Sequence, residues 1–110
     1  MNLKTRFALF MKNGPDKAFE DLGYDKVEET DHHVRYSKIE YGKYEHIIEI
    51  CNHKNDGIRV QSYSSKDFCV DALGRPIGNC GVALTDCEME IILYKIKEMK
   101  KICVTLKKVN

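Results

Sequence analysis

Polar and apolar positions change rhythm along this chain, and the changes mark its elements. Residues 1–12 set Leu3, Phe7, Phe10 and Met11 at helical spacing over a very short run. The next stretch, NGPDKAFEDLGY, is clearer. Asn13-Gly14 can cap a helix, Pro15 suits its first position, and Asp16 complements the positive end of its dipole. Ala18, Phe19 and Leu22 form an apolar edge, and Gly23 supplies the left-handed residue that ends the helix. A short helix from about Pro15 to Leu22 is predicted.

From Tyr24 to Ser64 the period becomes two. YDKVEE, HVRYSKIEY, YEHIIEIC and GIRVQSY are strand-length runs rich in β-branched and aromatic residues. TDH, YGK and NHKNDG separate them, and Asp56-Gly57 is the best hairpin signal. Links this short join only antiparallel neighbours, so the runs form a meander. Val34, Tyr36, Tyr44, Ile48, Ile50, Ile58 and Val60 would share the core face. Arg35, Glu45, Glu49, Arg59 and Gln61 would point the other way.

The last rhythm is helical again. Thr85 followed by Glu88 fits a capping box, and Met89, Ile92, Ile96, Met99 and Cys103 repeat at steps of three and four, with Leu93 widening the stripe. Lys95, Lys97, Lys100 and Lys101 gather toward the negative end. A helix from about Asp86 to Ile102 is predicted. The stripe could serve a dimer seam, but its shortness and the extra Leu93 favour cover for the chain's own sheet.

Between the last predicted strand and this helix lies DALGRPIGNCGVALTD, part of a connector from Ser64 to Leu84. It has the glycines of a phosphate cradle but no Lys-Ser/Thr, and no G-x-G-x-x-G occurs. It carries Phe68, Val70, Leu73, Ile77 and Val82. It therefore either folds as a hairpin, Phe68–Leu73 against Ile77–Leu84, or offers apolar groups to a partner; the turn Gly74-Arg75-Pro76 favours the hairpin. The fold class is thus α+β, in one domain over residues 1–110. It comprises a short N-terminal helix, a four- to six-stranded antiparallel meander, and a long amphipathic C-terminal helix packed on one sheet face.

Hydrophobic residues at 43% and charged residues at 32% of 110 describe a globular chain. No apolar run approaches the ~20 residues of a membrane span, and residues 1–13 are too briefly apolar for a signal peptide, so a cytoplasmic location without membrane contact is expected. The charge is uneven: +3 over residues 1–17, −7 over 18–94 and +5 over 95–110. An acidic centre disfavours nucleic acid, leaving only the lysine-rich last helix to touch phosphate.

Five cysteines, an odd number at gaps of 18, 11, 7 and 16 residues, read as free, mainly structural thiols. Zinc prefers tightly spaced ligand pairs, and the only close pair is Cys51 with His53. Cys87 falls near a helix start, where a thiol is activated, but His32, His33, His46 and His53 all lie in the meander. His46 is expected to pack or hydrogen-bond within the sheet. Adjacent Glu28 and Glu29 point to opposite strand faces and cannot act as a pair. No catalytic residue, cofactor or metal ligand is therefore assigned.

AFEDLGYDKVEE, the strands HVRYSKIEY and YEHIIEI, and the closing LTDCEMEIILYKIKEMK resemble small accessory proteins of temperate phages and prophages in Gram-positive bacteria. The resemblance spans about Ala18–Ser62 and Leu84–Lys101. It implies a meander-plus-helix fold and a non-enzymatic protein that docks onto another macromolecule, as anti-CRISPR inhibitors of bacterial defence complexes do. It carries no catalytic residues. A protein partner is expected, bound by a monomer or small homo-oligomer. On the open sheet face Arg35, Arg59, Gln61 and Tyr63 are the candidate partner-binding residues; on the Gly/Cys loop they are Arg75, Ile77 and Asn79. The competing readings are a protein that contacts nucleic acid through its last helix, and a small thiol or zinc enzyme.

Overall fold

Helix α1, Pro15–Asp21, starts behind Gly14, whose φ of 91° breaks the incoming chain, and places Pro15 where no N–H is needed. It ends in a Schellman motif. The Tyr24 N–H donates to Phe19 O (3.0 Å) and the Gly23 N–H to Glu20 O (2.9 Å), with Gly23 at φ 97°. The motif folds Tyr24 back so that its ring meets that of Phe19 edge-on at 5.4 Å. The positive φ strains any other residue at Gly23, and a Cβ there would also push the Lys38 side chain, 3.3 Å away, aside.

This is a computed structural model that describes residues 12–42, 44–53 and 56–109, with only the backbone described at 65–70, 76–80 and 101–109. The helical spacing of Leu3, Phe7, Phe10 and Met11 lies outside the described residues. Five strands follow α1: β1 (Asp25–Thr30), β2 (His33–Glu40), β3 (Tyr44–His53), β4 (Gly57–Val70) and β5 (Pro76–Gly81). They form one antiparallel sheet in sequence order, the expected meander. A bulge between Lys26 and Glu28 reverses the side-chain alternation of β1. Lys26 and Glu29 consequently share the face that bears Tyr36 and Val34, while Glu28 falls on the other.

The glycine-rich connector is a hairpin. Its first arm is not a separate strand, however: the predicted fourth strand runs on without a break into β4, and β5 pairs with its end. Asp71 builds the turn. Its Oδ1 accepts from the N–H groups of Leu73 (2.9 Å) and Arg75 (3.0 Å), and Gly74 takes a φ of 80°. Pro76, which lacks an N–H, opens an edge strand where none is needed.

Helix α2, Asp86–Val109, starts where expected and runs seven residues past the predicted end. Its capping box is reciprocal: the Thr85 N–H donates to Glu88 Oε1 (2.8 Å) and the Glu88 N–H to Thr85 Oγ1 (3.2 Å). Ala18, Phe19, Tyr24, Val34, Tyr36, Ile48, Ile50, Ile91, Ile92 and Met99 form one buried cluster, with Leu22, Ile58, Leu84 and Ile96 packed against it.

Two core expectations need correction. Val60 stands opposite Ile50 on the core face but is 36% exposed, because the buried cluster draws its strand residues from β2 and β3 and takes only partly buried Ile58 from β4. The buried stripe of α2 is rotated about one position from the predicted one. Glu88, Ile91, Ile92, Lys95 and Met99 face inward, whereas Met89 (48%) and Leu93 (57%) face out. Two buried charged residues, Glu88 and Lys95, share the inward face with their hydrogen-bond and ion-pair partners, and an apolar-only reading of the stripe passes over them. Cys103 lies where no side chain is described. No helix among the described residues is long and apolar enough to cross a membrane.

Candidate functional site

The face of the sheet opposite the buried cluster carries a polar constellation built by register. Glu28, Arg35, Glu49 and Gln61 lie side by side across β1 to β4, and Thr30, His33, Cys51 and Arg59 form the next row. Such opposed side chains stand ~5 Å apart at Cβ, close enough for direct contact. Glu49 is the hub. Its Oε2 accepts from the Tyr63 hydroxyl (2.9 Å) and Arg35 Nε (3.3 Å), and its Oε1 from the Cys51 thiol (3.4 Å). His33 Nε2 lies 3.2 Å from Oε1 but at an angle that makes no hydrogen bond, so this buried nitrogen has no such partner among the described residues. Glu28 closes the group from β1, at 3.7 Å from His33 Nδ1 and 3.5 Å from Arg35 Nη1. Glu49, Gln61, Ser62 and Tyr63 line a shallow pocket beside it.

Burial pushes the Glu49 carboxyl up, but the Tyr63 and Cys51 hydrogen bonds and the Arg35 and His33 charges outweigh it and hold its pKa below the ordinary value. Burial and the hydrogen bond to Glu49 push the Cys51 thiol up. Tyr63 is raised by the same two causes. The group holds two arginines and two carboxylates at its centre, so its charge is balanced.

A second network lies inside. His46 is 1% exposed; its Nδ1 sits 2.9 Å from the Tyr24 hydroxyl and 3.1 Å from Glu40 Oε1, and its Nε2 2.6 Å from Ser62 Oγ. The Tyr24 hydroxyl also donates to Glu88 Oε2. Burial and Glu88 raise the Tyr24 pKa strongly. On Glu88 itself burial raises the pKa, but the Thr85 N–H and the Tyr24 hydroxyl outweigh it and lower it. Every member has a partner, and the network ties the α1–β1 link, β2, β3, β4 and α2 together, so it reads as structural. A third group surrounds Lys95, whose Nζ lies 3.2 Å from Asp16, 3.1 Å from Glu29 and 3.7 Å from Glu98. Lys26 reaches the same Asp16 at 3.0 Å, and the Tyr36 hydroxyl donates to it.

Of the candidate partner-binding residues, the structure brings Arg35, Arg59, Gln61 and Tyr63 together on the outer face. Arg75 sits instead in the β4–β5 turn with its Nε on Asp71 (2.8 Å). Ile77 and Asn79 lie in β5, where only the backbone is described. His33, Glu49, Cys51 and Glu28 were not among the candidates. The signal for them was the parity that pairs Arg35 with Glu49 across a short link, together with a cysteine two positions further along the same face. Cys87 is the second residue of α2, as expected, but the His46 ring is committed to Tyr24, Glu40 and Ser62. Of the lysines that a nucleic-acid reading needs, Lys95 is buried among carboxylates. Set against protein-family models, curated proteins and solved structures, the chain matches none.

Proposed function

We propose that this protein acts by binding a protein partner through the outer face of β2 to β4, without turning over a substrate. The observation that carries the reading is the convergence of His33, Arg35, Cys51 and Tyr63 on Glu49, beside exposed Arg59 and Gln61. Side chains locked this way lose little further freedom on binding, and arginine and tyrosine are the residues that most often anchor protein interfaces. Balanced charge suits a protein surface better than the basic stripe that phosphate requires. The resemblance to phage accessory proteins makes a component of a bacterial defence complex the partner class, met in the cytoplasm. Capture of a partner from Gram-positive host lysate tests this. Arg59→Glu and Gln61→Arg, both on exposed side chains, should weaken a captured complex at least about tenfold while leaving the melting temperature unchanged. Undiminished capture by both variants would overturn the assignment of the face.

A further inference from the structure

We propose that His33, Glu49 and Cys51 form a binding site for a divalent transition-metal ion, with zinc the best match. Their donor atoms all lie within 4.8 Å of one another. The His33 Nε2 to Glu49 Oε1 distance is 3.2 Å and the Cys51 Sγ to Glu49 Oε1 distance is 3.4 Å. Zinc with bonds of ~2.0 Å to nitrogen or oxygen and ~2.3 Å to sulfur, in tetrahedral geometry, sets adjacent donors roughly 3.3–3.6 Å apart. Two of the three donor pairs stand near that spacing already, and the third, His33 with Cys51, lies within 4.8 Å. A mixed nitrogen, sulfur and oxygen set suits borderline-soft zinc rather than magnesium or calcium.

The surroundings orient the donors. Arg35 and Tyr63 hold Glu49 Oε2, which leaves Oε1 turned toward His33 and Cys51. Glu28, 3.7 Å from His33 Nδ1, favours the tautomer that keeps Nε2 free as a ligand. That nitrogen is buried without a hydrogen bond, an arrangement that costs free energy unless something occupies its lone pair. Glu28, Glu49 and an ionised Cys51 outnumber Arg35 and Arg59 by one negative charge, which favours a cation at the site. Binding replaces the thiol proton of Cys51, which leaves to solvent. No fourth donor among the described residues converges there, so one position stays open to water or to a group of a docked protein.

The inner Glu40, His46 and Glu88 also come within reach of one another. They differ in that Tyr24, Ser62 and Thr85 already satisfy them. Sequence spacing pairs Cys51 with His53, but the register sets His33 directly opposite Cys51 and leaves His53 exposed at the end of β3. This departs from the sequence expectation of no metal, and it holds whether or not the face docks a partner, since the chain alone supplies the readout.

Cobalt titration of the reduced full-length protein, followed by zinc competition, tests it. One cobalt per chain should give a thiolate-to-cobalt charge-transfer band that zinc bleaches. Cys51→Ser should abolish the band, and His33→Gln should weaken binding. Glu28→Gln should weaken it about tenfold, while His53→Ala and Cys87→Ser leave it intact. Should Cys51→Ser fail to fold, the tenfold effect of Glu28→Gln on its half-exposed side chain decides the matter. Absence of a band in the unaltered protein, a band that survives Cys51→Ser, or one lost with His53→Ala would overturn the proposal.

Discussion

Glu88 divides its carboxylate between two tasks: Oε1 caps the start of α2 through the Thr85 N–H, and Oε2 accepts the hydroxyl of Tyr24, 64 positions earlier in the chain. A local capping box thereby becomes a long-range anchor. Glu88→Ala removes a cap worth ~0.5–2 kcal/mol and strips a buried hydroxyl of its acceptor at ~1–3 kcal/mol, so urea denaturation should show a loss of about 2–4 kcal/mol. Glu88→Gln keeps the Thr85 contact and should lose less. Equal stability in all three proteins would contradict this role.

Stability should fall on acidification. Glu88, Glu49, Asp16 and Glu29 are all held below their ordinary pKa values: Glu88, Glu49 and Asp16 against the opposing effect of burial, Glu29 chiefly by Lys26. The unfolded chain then takes up protons first, near the ordinary values of 4.5 for Glu88 and 3.8 for Asp16. The stabilisation is complete above those values and is lost as pH drops through the lower folded ones. On Lys95 burial lowers the pKa but Glu29 and Asp16 outweigh it and raise it, so its contribution is present below 10.5 and is lost only at higher pH. Urea midpoints should be level across neutral pH and decline from about pH 5 to 3, with a shallower slope in Glu88→Gln. A midpoint that holds or rises on acidification would contradict the carboxylate assignments.

The rotation of α2 can be tested with two neighbouring residues. Ile91 is fully buried and Leu93 is 57% exposed, although Leu93 belongs to the apolar stripe that the sequence suggests. Ile91→Ala should cost roughly 2–5 kcal/mol through lost burial and a cavity, and Leu93→Ala within about 0.5 kcal/mol. The reverse order would restore the stripe read from the sequence.

Local rules found what local chemistry decides. Gly23, the Thr85/Glu88 box and the two-residue period of β2 and β3 each announce their elements, because caps and alternation act within a few residues. The inward turn of Lys95 was not legible, since its partners Asp16 and Glu29 lie 79 and 66 positions away. The bulge that turns Glu29 toward Lys95, with Glu28 left on the other face, is equally silent in YDKVEE. At the outer face, alternation placed Arg35, Glu49, Arg59 and Gln61 on one side. The hub at Glu49 emerged only once the register set Cys51 opposite His33 and brought Tyr63 diagonally to Glu49.

Whether the outer face around Glu49 docks a partner can be read by placing a photo-crosslinking residue at single positions in the presence of host lysate. Substitution at Arg59 or Gln61 puts the probe on that face, and substitution at exposed Glu90 puts it on α2. Positions 59 and 61 should each give one discrete protein adduct, and position 90 none. An adduct from position 90 with none from 59 or 61 would contradict docking on that face.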